Sequence, residues 1–303
     1  MQLVCTIKSN AFKANQVQSH SRSRTGFTLM ELLIVVAVIG ILAAMLLPAL
    51  SRSKSRAQAI FCLSNNKQLS FAWEMYSSDN NDQLVYNLGG RIDTKGFAPR
   101  DEPNWVNNIM DWELSPDNTN NSFVNNSMLG SYASFSSKVY KCPADNALSD
   151  RQRNAGWDSR VRSVSMNAMI GNPGALLQNG VNVNNPTYRQ YLKESEIRNP
   201  SMTFVFLDEH PDSINDGYFV ENPYELEWID LPASYHNGGS SFSFADGHSE
   251  LHYWLYDSTR RPAKEDGAQL PMTIHPTDRA DFDWVIRRMS VERSTYNSPP
   301  PHP

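Results

Sequence analysis

Three groups of residues in this 303-residue chain could do chemistry. The densest is Leu207-Asp208-Glu209-His210-Pro211-Asp212, with Asp216-Gly217 just beyond. Asp208, Glu209, Asp212 and Asp216 fall within nine residues, and a carboxylate-rich set of hard oxygen ligands favours Ca2+. The spacing does not match an EF-hand loop. The competing reading is a solvated acidic loop in which His210 and Pro211 fix a turn. The second group is His236, Asp246, His248, Glu250 and His252. On a strand His248, Glu250 and His252 share one face, but zinc requires three or four converging ligands. For His236 and Asp246 the simpler role is mutual structural support near a turn, with Asp246 chosen for a positive φ. The third is a single carboxylate, Glu31, at the start of a run without charge. No nucleophile elbow, phosphate loop or zincin helix occurs.

The run beside Glu31 dictates the first element. Leu32 to Leu50 are nineteen uncharged residues, which as a helix span roughly 28 Å, about the thickness of a hydrocarbon core. They present no polar face, unlike a soluble surface helix. A carboxylate deep in such a medium costs about 2.5 to 3.5 kcal/mol. Glu31 therefore requires a partner, neutralisation, or a position at the interface, stabilised by the helix dipole. Residues 1–26 carry Lys8, Lys13, Arg22 and Arg24 and no acid. A secretory signal has its small-residue cleavage site after the apolar stretch, whereas Gly26 lies before it.

Gly26-Phe27-Thr28-Leu29-Met30-Glu31, followed by the apolar run with Pro48, resembles the type IV prepilin signal of pilins and type II secretion pseudopilins. The competing reading is a plain signal anchor. The resemblance implies that a prepilin peptidase cuts after Gly26 and N-methylates the new terminus at Phe27. It further implies that Glu31 attracts the charged terminus of a neighbouring subunit. A carboxylate and an ammonium neutralise each other in low dielectric, where either alone is costly.

Composition bounds the rest. Removing a leader with four bases and no acid leaves 23 basic against 32 acidic residues, a formal charge of −9, which argues against a nucleic-acid partner. Arg52, Lys54 and Arg56 nearly balance the leader's bases, so orientation rests on the resemblance. Cys5 leaves with the leader. Cys62 and Cys142 remain in a chain expected to face an oxidising compartment and are expected to pair, against the alternative of two buried thiols.

Beyond Pro48 the helix is expected to continue to about Ser78, with Ala59, Cys62, Asn66, Leu69, Trp73 and Tyr76 at a 3–4 spacing. Residues 79–138 read as loop-rich, with short helical pieces over 105–112 and 122–135 and another over 188–196. Strands are expected near Val161–Ile170 and Met202–Leu207, a surface loop over 174–187, and a helix from Arg279 to Met289. In SSFSFADGHSELHYW, residues 240–254, Asp246-Gly247 signals a type I′ hairpin. That turn would put Phe242, Phe244, Leu251 and Tyr253 on one face, against the helix, and Ser241, Ser243, His248, Glu250 and His252 on the other.

His236, nine residues, then Asp246-Gly247 resembles the H-X9-DG domain of processed prepilin-like proteins. The stretches Cys62–Leu69, Tyr76–Asn80 and Lys141–Asp145 agree with it. The reading is thus an α+β, pilin-like subunit. It comprises a leader (1–26), a membrane and assembly half-helix (27–50), an amphipathic half-helix (51–78), an extracytoplasmic domain (79–290) and a disordered tail (291–303). Its expected partners are other copies, minor pilin-like subunits, the prepilin peptidase and an inner-membrane assembly platform. The alternatives are a membrane-anchored, metal-dependent hydrolase and a glycan-binding tip subunit.

Overall fold

A computed structural model describes residues 26–89 and 103–296. Residues 1–25, 90–102 and 297–303, and with them most of the expected leader, lie outside the described residues. The chain divides between Leu50 and Ser51 into two units.

In the first unit the regular structure is helical. Helix α1 (Leu29–Asp79) contains Pro48 without ending there. Every residue from Gly26 to Leu50 is exposed, including Ile34, Val38, Ile41 and Leu46. This part of α1 is long and apolar enough to cross a membrane.

In the second unit α1 becomes amphipathic. Ala59, Cys62, Asn66, Leu69 and Trp73 are buried along the expected stripe, joined by Ser70, Ala72 and Ser77. Tyr76 is half-buried, edge-on to Tyr132. The remaining elements, in chain order, are α2 (Ser122–Asn125), α3 (Asp150–Asn154), β1 (Val164–Asn167), β2 (Leu177–Gln178) and β3 (Val181–Asn182). They continue with β4 (Phe204–Asp208), β5 (Tyr218–Phe219), β6 (Glu227–Trp228), β7 (Gly239–Phe244) and β8 (Ser249–Tyr253). The last are β9 (Met272–Thr273), α4 (Arg279–Met289) and α5 (Arg293–Tyr296).

The main sheet runs β5-β1-β4-β7-β8. All its pairings are antiparallel except β1 with β5. With the long helix this makes the fold α+β. Two cores lie on the sheet's two faces. Leu69 and Trp73 of α1 pack with Trp105, Met166 and Phe206. Phe282 and Val285 of α4 pack with Phe204, Phe242 and Trp254. A bulge in β4 between Phe204 and Phe206 shifts the alternation, so Val205 and Phe206 join the first core while Phe204 and Leu207 join the second.

The hairpin forms with a different register from that expected. Ser241 pairs with Leu251, Phe242 with Glu250 and Ser243 with Ser249. The amide of Phe244 donates to His248 O, leaving a three-residue loop in which Gly247 alone takes the left-handed conformation, at φ +82°. One extra loop residue exchanges the partners' faces. Ser241 and Leu251 therefore share the α1 side, while Phe242 and Phe244 share the α4 side with Glu250 and His252. His252 stacks on Trp284 of α4 at 3.8 Å.

Other expectations are corrected. Residues 105–112 form no helix, 122–135 contain only α2 plus turns, and 188–196 contain only a 3-10 turn, Glu194–Glu196. In 105–112 side chains satisfy backbone groups that a helix would pair: Asp117 Oδ2 accepts from Ile109 N, and Asn118 Oδ1 from Asp111 N. The tail is not disordered from residue 291. Residues 293–296 form α5, and Tyr296 lies under the guanidinium groups of Arg189 and Arg198 at 4.8 and 4.1 Å.

Candidate functional site

At the start of α1, Thr28 and Glu31 form a reciprocal cap. Glu31 Oε2 accepts from Thr28 N at 2.9 Å and from Thr28 Oγ1 at 2.8 Å, while Thr28 Oγ1 accepts from Glu31 N at 3.2 Å. This is the capping-box arrangement, and its signature, threonine followed three residues later by glutamate, stands in the sequence. The role of Thr28 could have been read there and was missed. Gly26 and Phe27 precede the helix, and Phe27 is 70% exposed.

The second unit gathers chemistry where four segments meet. Cys62 from α1 and Cys142 from the loop before α3 form a disulfide, as expected. Beside it lie His236, just before β7, and Asp208, at the end of β4. All four are buried. His236 Nε2 is 3.3 Å from Cys142 Sγ and 3.9 Å from Asp208 Oδ2. His236 Nδ1 is buried without a hydrogen-bond partner. Burial holds the imidazole neutral, its pKa pushed down to about 4. Asp208 Oδ2 accepts from Ser241 Oγ at 2.5 Å, and Ser241 Oγ accepts from Asn66 Nδ2 at 2.7 Å. Burial raises the Asp208 carboxyl to about 7, against the lowering effect of Ser241.

His236 and Asp246-Gly247 do not support one another, because the whole of β7 separates them. Asp246 Oδ1 instead accepts from His248 N and contacts His248 Nδ1 at 2.5 Å. His248 stacks on Phe244, and His252 on Trp284, so the histidines of β8 and its turn pack against aromatic rings. A Cβ at Gly247 would come within 2.9 Å of Glu74 Oε1 on α1, so glycine fits this turn for both conformation and space.

The four acids expected to form a calcium site go to separate partners. Asp212 accepts from Trp112 Nε1, Asp266 N and Ala268 N. Asp216 Oδ1 accepts from Tyr218 N, and Asp208 faces Ser241. The solvated-loop alternative is also corrected, because Asp208, Glu209 and Asp216 are buried. His210 is a satisfied structural histidine, accepting from Asp212 N and placing Nε2 3.1 Å from Pro262 O.

Glu209 and Asp216 instead face Asp230 and, beyond it, Glu221, an acidic group that sequence spacing did not reveal. Burial raises the pKa of Glu209 to about 7, with Arg162 and the hydroxyls of Ser165 and Ser213 opposing. Burial also raises Glu221 and Asp230 well above the usual carboxylate range, and repulsion within the group adds to it: Asp230 on Glu221, Glu209 on Asp230. Glu221 Oε2 accepts from Ile229 N, whereas Glu209 Oε1 and Glu221 Oε1 are buried without partners.

Comparison with known proteins concerns the N-terminus. Residues 21–47 match the prokaryotic N-terminal methylation motif. Over 60 residues the chain is 38% identical to type II secretion system core protein G of Aeromonas hydrophila, covering 20% of this chain and 42% of that protein. Over 61 residues it is 48% identical to the type IV wide pilus major component PilA4 of Thermus thermophilus, covering 20% and 46%. Core protein G of Escherichia coli is 36% identical over 64 residues, covering 21% and 44%. The chain thus spans less than half the length of these relatives. No solved structure matches it. The N-terminal fifth of this chain carries the prokaryotic N-terminal methylation motif and is similar to type II secretion pseudopilins and a type IV pilin.

Proposed function

We propose that this protein is a structural subunit of a type IV pilus-like or type II secretion pseudopilus filament. Prepilin peptidase cuts it after Gly26 and methylates Phe27. The precursor crosses the inner membrane once, with residues beyond the stem on the extracytoplasmic side. An assembly platform then draws it into a filament with other copies and minor subunits. The single observation that carries this reading is the fully exposed apolar stem, bearing one carboxylate five residues after a motif glycine. In a filament each Glu31 meets the amine of a neighbouring chain, because an unpaired charge in an apolar bundle is costly.

Mass spectrometry of the mature N-terminus in native cells tests the reading. The expected species begins with N-methylated Phe27. An intact precursor, or cleavage near Ala49, would overturn it.

A further inference from the structure

We propose that Cys62, Cys142, His236 and Asp208 form, whenever the two sulfurs are not joined, a tetrahedral site for a zinc ion. This goes beyond the filament reading and does not depend on it. One ligand atom from each residue lies within 4.8 Å of the other three. With zinc bonds of about 2.0 to 2.3 Å, the edges of a regular tetrahedron come to about 3.3 to 3.8 Å. His236 Nε2 already stands 3.3 Å from Cys142 Sγ and 3.9 Å from Asp208 Oδ2. The change needed is separation of the two sulfurs from bonding distance to about 3.8 Å.

Three further observations point to a ligand. His236 is 1% exposed, and the one atom within hydrogen-bonding reach of its Nε2 is the Cys142 sulfur, at 3.3 Å. A disulfide sulfur is a weak partner for that nitrogen, whereas a metal takes the Nε2 lone pair directly. The carboxylate is oriented from behind by the relay Asn66 to Ser241 to Asp208, as outer-shell groups orient metal ligands. Finally, a surface cleft of about 250 Å3, lined by Ala59, Leu63, His236, Leu251 and Tyr253, gives a path to the imidazole.

The two states interconvert with balanced chemistry. A disulfide oxidant accepts two electrons from the zinc-bound thiolates through a mixed disulfide. The Cys62–Cys142 bond forms, the oxidant leaves as two thiolates, and Zn2+ is released. A dithiol reductant runs the sequence backwards. In the metal-bound state zinc ties α1 to β4, to the segment before β7 and to the Cys142 loop, where the disulfide ties only the first and last of these.

The test uses the full chain in detergent micelles, reduced with a phosphine and titrated anaerobically with Zn2+ alone or Co2+ alone. One zinc per reduced chain is expected, and none per disulfide-bonded chain. Cobalt should give the intense visible bands of a tetrahedral site together with a thiolate charge-transfer band. His236→Ala and Asp208→Asn should each weaken zinc binding by about tenfold or more, as should Ser241→Ala acting through Asp208. Affinity unchanged in both His236→Ala and Asp208→Asn would overturn the proposal. If the variants do not fold, the cobalt spectrum of the unsubstituted protein decides: an octahedral spectrum, no binding, or a fold lost on reduction and restored by neither ion would overturn it.

Discussion

The stem and the body meet the same electrostatic difficulty in opposite ways. In the stem, residues 26–50, every side chain is exposed and Glu31 is the one carboxylate, held by a local cap. In the body, Asp208, Glu209, Glu221 and Asp230 are all buried, and burial pushes each carboxyl toward its protonated form. The body resolves the cost of a buried acid within one chain, by protonation and by hydrogen bonds from Ser241, Ile229 and Val220. Beyond that cap, the stem's apolar side chains are left uncovered within its own unit. An exposed apolar surface of this size is one that lipid or other chains cover.

The largest effect expected from breaking this contrast is at Glu31. Glu31→Ala should abolish filaments seen by electron microscopy while leaving the body's melting temperature unchanged. Glu31→Gln sharpens the point, because glutamine still completes the capping box but carries no charge. Loss of filaments in both variants assigns the role to charge. Filaments retained in the glutamine variant would assign it to the cap.

Next in size is the cross-link. Joining Cys62 to Cys142 closes a loop of 80 residues, which chain entropy values at about 4.5 kcal/mol. Replacing both cysteines by serine should lower the body's unfolding free energy by about that amount in urea, without altering the stem's insertion into vesicles. A change below about 1 kcal/mol would mean that the four-segment junction is held by packing alone.

The smallest effect concerns the buried acids and is visible only against pH. The folded pKa of Glu221 lies well above its unfolded value, so above the ordinary carboxylate pKa the unfolded chain binds fewer protons than the folded one. Stability from this group is therefore lost as pH rises. Glu221→Gln should leave the melting temperature unchanged below about pH 4 and raise it at neutral pH. Equal melting curves at both ends would show that Glu221 is compensated in the folded chain.

The sequence disclosed what periodicity and short motifs encode. The α1 stripe from Ala59 to Trp73 and the helix Arg279–Met289 were legible because each repeats a face, and the strand ending at Leu207 or Asp208 because it is an unbroken β-branched and aromatic run. The hairpin was legible but its register was not. Asp-Gly serves both two- and three-residue loops, and only the fold's packing chooses which side Phe242 faces. Residues 103–160 were not legible, since Asn104, Asp117, Asn118 and Gln152 hold the backbone by side-chain bonds that leave no repeat. The meeting of Asp208 and His236 with the cysteines was equally hidden, because their separations in sequence follow no known spacing.

The reciprocal cap at Thr28 and Glu31 carries a consequence for growth of the proposed polymer. It aims the carboxylate at the amide of Thr28, one peptide unit from the amine that cleavage would create at Phe27. A freshly trimmed monomer then already owns a counter-ion for its own terminus. In the proposed polymer, elongation then exchanges a companion within the chain for one on its neighbour.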